Sequence, residues 1–179
     1  MRLWFLVAAL VLAPSLAKAE VASASPSAFL LRAEAVVAAS PDRAWRAVGR
    51  IGHWWNSQHT FSGDARRMTL DMSAGGCFCE RWAGGQSVEH GRVVLVMEHE
   101  GVRTVRFVGG LGPLQELAAS GVMTIVVAPD PGGARITMTY RVAGDSALGL
   151  NAVAPLVDQV VTEQFTRLVR YAETGSASQ

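Results

Sequence analysis

Lysine is almost missing from this 179-residue chain; the only one is Lys18. Beyond that residue, Schiff-base chemistry from a side-chain amine and the lysine of a phosphate cradle are excluded. Cysteine is nearly as scarce, with Cys77 and Cys79 the only two. They make no CxxC pair and cannot supply a four-cysteine metal cage. The four histidines never fall at HxH or HxxxH spacing, so no paired-histidine metal motif exists. No phosphate loop or dinucleotide fingerprint occurs, and Gly144-Asp145-Ser146 lacks the strand–nucleophile–helix setting of an esterase elbow. No cofactor or metal is called for. Sixteen basic residues stand against 15 acidic ones. That balance gives no general electrostatic grip on nucleic acid or anionic lipid.

Long apolar runs are also lacking. The N-terminal one covers residues 3–13, well short of the roughly 20 residues a membrane-spanning helix needs. Arg2 precedes it, Pro14 breaks it, and Ala17-Lys18-Ala19 follows as a small-x-small cleavage site. Residues 1–19 are therefore expected to be a signal peptide, which places the mature protein in the periplasm or outside the cell. Its removal would leave 14 arginines against 15 acidic residues and shift the formal charge from +1 to −1.

What remains is one domain's worth of chain. Residues 20–27 read as a short exposed leader. Residues 29–38 alternate weakly, as a strand with one wet face does. Ser40-Pro41-Asp42 is a helix start: a hydroxyl to cap a free N–H, a proline at the first helical position, and an acid at the positive end. A second short helix is expected around His53-Trp54-Trp55. Strands follow at residues 68–72, 77–82, 91–97, 102–108, 121–128 and 135–142. Residues 109–115 are apolar but full of glycine and proline, and predict a shaped loop. From about residue 153 to 172, Val153, Leu156, Val157, Val160, Val161, Phe165, Leu168, Val169 and Ala172 fall at three-and-four spacing, the mark of a long amphipathic helix. The fold class is α+β. A curved antiparallel sheet of about seven strands wraps a long C-terminal helix, with two short helices after the first strand. Wherever sheet and helix fail to touch, an apolar cavity results.

The chemistry concentrates in Gly75-Gly76-Cys77-Phe78-Cys79-Glu80-Arg81-Trp82. As a strand, it puts Phe78, Glu80 and Trp82 on one face and both cysteines on the other. A carboxylate among aromatics is costly when charged, so an inward Glu80 is expected to have a raised pKa and suit acid–base work, unless it pairs with an arginine such as Arg106 or Arg141. Cys77 and Cys79 sit at the limit of disulfide reach on an extended strand. Packed thiols, a local disulfide in an oxidising compartment, and a soft-metal or redox site all remain open. His90 and His99 read as solvated turn residues.

The motifs Ala39-Ser40-Pro41-Asp42-Arg43-Ala44-Trp45, Trp54-Trp55, Gly75-Gly76 running into Phe78 and Glu80, and Gly91-Arg92-Val93 stand in an order that resembles the SRPBCC, or START-like, superfamily with its helix-grip fold. His59-Thr60-Phe61-Ser62-Gly63-Asp64 and Gly110-Leu111-Gly112-Pro113-Leu114-Gln115 resemble a group of small exported bacterial members related to polyketide cyclase/dehydrase-like proteins. The match spans about residues 29–172, taken as the domain.

The resemblance implies a hydrophobic cavity between sheet and C-terminal helix, and no particular reaction. Candidate ligand-binding residues are Trp54, Trp55, His59, Phe61, Phe78, Glu80, Trp82, Leu111, Gln115 and Tyr140. With no strong catalytic constellation, binding of a small apolar or amphipathic ligand is favoured over catalysis. The alternatives are a cyclase/dehydratase-like enzyme with Glu80 as general acid/base, and a redox or metal role for Cys77 and Cys79. Neither nucleic acid nor stable membrane insertion is expected.

Overall fold

In the computed structural model, residues 18–178 are described. The expected signal peptide lies outside them, apart from Lys18 and Ala19, which open the first strand. Eight antiparallel strands form one open sheet: β1 Lys18–Ser25, β2 Ala28–Val37, β3 Met68–Leu70, β4 Cys77–Trp82, β5 Gln86–His99, β6 Val102–Val108, β7 Ser120–Asp130 and β8 Gly133–Ala143. Their order across the sheet is β1-β2-β8-β7-β6-β5-β4-β3. Two short helices, α1 Pro41–Gly49 and α2 Ile51–Trp54, follow β2, and α3 Leu150–Thr174 closes the chain.

The one extra strand is β1. Its small, polar residues suggested a leader, yet Glu20 to Ser25 pairs with β2 along its length. Backbone hydrogen bonding decides this, since the side chains carry no strand signature.

Local signals account for the helices. Ser40 Oγ accepts from the Arg43 N–H at 3.3 Å, and Pro41 and Asp42 open α1 as expected. The α3 helix starts at Leu150, earlier than its apolar spacing suggests, so Pro155 lies inside the helix rather than in its first turn. Proline lacks the N–H that would reach back to the Asn151 carbonyl. The β5–β6 hairpin turns on Glu100 and Gly101, both at positive φ (51° and 79°), the two-residue geometry whose twist matches its strands.

Alternation places the core. Phe29, Leu31, Ala33, Ala35 and Val37 of β2, and Ile136, Met138, Tyr140 and Val142 of β8, all face inward and are buried. The helix α3 crosses mainly β1 and β2 and packs against α1. The small inward residues Ala33 and Ala35 leave room for its backbone. Trp54, Phe78, Phe107, Met123 and Phe165 fill the interior, each at most 2% exposed. The middle of the grip is therefore packed solid.

Phe165 sits fully buried on the face of α3 that meets the sheet. Phe165→Ala should cost about 3–5 kcal/mol. The thermal midpoint, read by circular dichroism, should fall by roughly 6–20 °C.

Candidate functional site

Glu80 lies on the inward face of β4 and has no exposed surface. Its carboxylate accepts hydrogen bonds from the backbone N–H groups of Phe61 (3.1 Å) and Ser62, and lies 3.2 Å from His90 Nε2. Burial pushes its pKa up, but the hydrogen bonds from Ser62, Phe61 and His90 outweigh it and hold the carboxyl below its ordinary 4.5. This corrects two expectations. The shift is opposite to that of a buried general acid, and the partner is a histidine with two loop amides rather than Arg106 or Arg141.

His90 is no turn residue. Where β4 pairs with β5, Phe78 faces Gly91 but Cys79 faces Glu89, so His90 is the extra residue of a β-bulge. The bulge breaks the alternation of β5 and turns the imidazole inward, leaving the residue 4% exposed. Its ring lies 4.9 Å from that of Phe78 and 5.9 Å from that of Phe61. Burial lowers the pKa of His90 from its ordinary 6.5, and Glu80 pulls it back only in part.

One face of His90 borders a cleft of about 480 Å³. Three segments wall it. The first is the loop at residues 55–61, with Trp55, Gln58, His59, Thr60 and Phe61. The second is the loop at 111–117, with Leu111, Pro113, Leu114 and Leu117. The third is the first half of α3, with Val153, Leu156, Val157, Val160 and Val161. No arginine, aspartate or glutamate is among the described lining residues. Phe61, Leu117 and Leu156 stand at its edge, 57%, 39% and 64% exposed.

Both loops are pinned. Beyond the two bonds to Glu80, the Asn56 N–H donates to Gln164 Oε1 at 2.7 Å, and Trp55 Nε1–H donates to the His59 carbonyl at 3.0 Å. Asn56 Nδ2 and His59 Nε2 both reach the Glu163 carboxylate. On the other side, the Tyr140 hydroxyl donates to the Gly109 carbonyl and accepts from the Leu111 N–H, each at 3.0 Å. Burial pushes its pKa up to about 12. Gly121 gives the Tyr140 ring its place, since an added Cβ there would overlap it. Gln115 Nε2 donates to the Glu89 carbonyl, tying the same loop to β5.

The expected site residues thus divide. Trp55, His59, Phe61 and Leu111 line the cleft. Trp54 is sealed in the core with its indole N–H on the Ala47 carbonyl. Phe78 lies behind Trp55 and His90, stacked edge-on with Trp55 at 5.7 Å. Trp82 is half-buried at the β4–β5 hairpin, away from the lining. Glu80, Gln115 and Tyr140 hold the walls and do not form them. The sequence missed His90 and most of the α3 wall. Two signals were there: Val88 and Val93 sit at odd spacing across Gly91, and Leu156 makes the apolar stripe of α3 wider than a packed face needs.

Cys77 and Cys79 are joined in a disulfide, with Cα atoms 5.3 Å apart. That is shorter than two residues of extended strand span. The bond lies on the face of β4 opposite Glu80, where the ion pair of Glu89 and Arg92 borders it. Cys77, Cys79 and Glu89 bring potential ligand atoms within 4.8 Å of one another. As a disulfide the sulfurs offer no thiolate to a metal.

A family model described as polyketide cyclase/dehydrase and lipid transport matches residues 29–173. The chain belongs to that family. Solved structures of the same SRPBCC, START-like architecture include human STARD10, 9% identical, covering 92% of this chain and 72% of that one at a TM-score of 0.56. A hypothetical protein of Helicobacter pylori is 12% identical over 83% of this chain and 89% of its own, also at 0.56. A norcoclaurine synthase point mutant of Thalictrum flavum, in complex with a transition-state analogue, is 17% identical over 79% and 91%, at 0.51. At these identities the likeness is one of fold. No curated protein matches the chain in sequence.

Two outcomes follow from this cluster. Folded His90 and Glu80 both bind protons less readily than they do in the unfolded chain, so acid favours unfolding. Denaturant-derived stability should be level from about pH 7.5 to 9, fall as pH drops below 6.5, fall again below 4.5, and fall above about pH 10, where the unfolded chain gives up the Tyr140 proton first. A rise in stability between pH 7 and 5 would contradict a neutral, buried His90. Thiol titration of the unreduced protein should find no free thiol and, after reductant, two. Because the closed loop is so short, reduction should cost no more than about 1.5 kcal/mol.

Proposed function

We propose that this protein is an exported binding protein that holds a small apolar or amphipathic molecule in the cleft between the 55–61 loop, the 111–117 loop and α3. One observation carries this: Phe61, Leu117 and Leu156 are large, exposed and apolar, and all border one concavity. Scattered exposed side chains of this kind are ordinary, but their convergence on a hollow is the mark of a binding surface. The walls behind them are apolar, with four polar side chains, Gln58, His59, Thr60 and His90, among them. The family's description as a lipid transport domain supports the same class of ligand. The Cys77–Cys79 disulfide and the signal-like residues 1–19 support export, because disulfides persist in oxidising compartments.

Acid–base catalysis by Glu80 finds no support in the site. Its carboxylate is saturated by N–H donors, held ionised, and screened from the cleft by His90 and Phe61. The disulfide lies on the opposite face of β4, so any redox role would be separate from the cleft.

Native mass spectrometry of the protein purified from its own host tests the proposal, and a bound apolar small molecule is the expected result. In vitro, a neutral solvatochromic dye such as Nile red should bind. Leu156→Asp should weaken it at least fivefold. The thermal midpoint should move by no more than about 2 °C, because a side chain already this exposed contributes little to the fold. Dye binding unchanged by Leu156→Asp would place the ligand elsewhere.

A further inference from the structure

The Glu80–His90 pair fixes more than a wall. A carboxylate oxygen 3.2 Å from Nε2 requires a proton on that nitrogen, since two lone pairs would otherwise face each other. The carboxylate is the partner without the proton, because two backbone N–H groups already donate to it. A second proton on the imidazole would bury a cation in a site where the residue is 4% exposed. Nδ1 is therefore a bare lone pair. It has no hydrogen-bond partner among the described residues, yet it is not among the atoms sealed from solvent without one. The accessible part of His90 lies in the cleft wall.

The rest of the lining points the same way. His59 is tied by Nε2 to Glu163. The Thr60 hydroxyl donates to the Ser57 carbonyl at 2.8 Å and keeps only acceptor capacity free. Gln58, among the described lining residues, carries uncommitted N–H donors and is exposed at the edge. Among the described residues, no arginine or lysine lines the cleft.

We propose that the cleft selects an uncharged amphipath whose polar end donates a hydrogen bond to His90 Nδ1, such as the hydroxyl of a long-chain alcohol, a phenol or a sterol, and discriminates against carboxylates and phosphates. An anionic head would face a lone pair with no counter-charge. An ether or ester of the same length would leave Nδ1 unpaired. This rests on the cleft being the binding site proposed above.

Three probes of equal chain length separate the possibilities: 1-dodecanol, its methyl ether, and dodecanoate at pH 8. Each competes with Nile red on delipidated full-length protein. The alcohol should bind about three- to tenfold tighter than the ether, the range one net hydrogen bond supplies. Dodecanoate should be the weakest. In His90→Phe the ratio of alcohol to ether affinity, titrated directly by calorimetry, should fall to about one. Independently of any variant, imidazole 15N shifts should show Nε2 protonated and Nδ1 bare. Added dodecanol should move the Nδ1 resonance and leave Nε2 in place. An ether that matches the alcohol, a carboxylate that binds best, or a protonated Nδ1 overturns the inference and leaves the cleft standing. If Nile red and all three probes fail to bind, the cleft proposal falls, and this one with it.

Discussion

A carboxylate shut away from water has to be given donors, and Glu80 draws them from two distant parts of the chain. Phe61 and Ser62 supply loop amides, and His90 supplies a ring nitrogen delivered by a bulge in β5. Leaving any of these groups unpaired would be costly at such depth. Loop, edge strands and bulge are therefore held in one arrangement by one charge. The position of the cleft's first wall and the protonation of its polar residue both descend from it.

The second wall depends on the core in a similar way. Tyr140 stands among buried side chains of β8 and hands its hydroxyl to Gly109 and Leu111. Its anchorage is apolar packing and its output is the shape of a loop. The third wall, the first half of α3, belongs to a helix that packs on β1 and β2. All three walls are thus set before any ligand arrives, and a preformed site loses less ordering entropy on binding. The packed middle of the grip explains why the opening lies at one end: Trp54, Phe78 and Phe107 occupy the space a deeper cavity would need.

Much of this was legible in the chain. The period-two alternation of β4 put Phe78 and Glu80 on one face and the cysteines on the other, leaving open which face turns inward, and the three-and-four spacing of α3 marked the helix that packs on the sheet. The Ser40 cap was visible because capping chemistry is local. Three things were not visible, each for a physical reason. The strand β1 is held by backbone bonds to β2, and its side chains say little. His90 points inward because of a bulge, whose trace in the sequence is only the odd spacing of Val88 and Val93. The sign of the Glu80 pKa shift depended on two loop amides, and amides exist at every position, so composition cannot tell which will be donated. Tyr140 is an intermediate case. Its need for a partner could be read, but the partner proved to be a loop backbone and not a ligand.

The bonds from Phe61 and Ser62 to a buried side chain also bear on time. Loop amides normally trade their hydrogens with water quickly, because they face it. These two end on an oxygen that water does not reach, and the Leu111 N–H ends on the buried Tyr140 hydroxyl. Their exchange should therefore wait for openings of the fold itself and not for local fraying. In a deuterium-exchange experiment these irregular segments would keep the clock of the sheet, while neighbours such as Gly63 would lose their protons early.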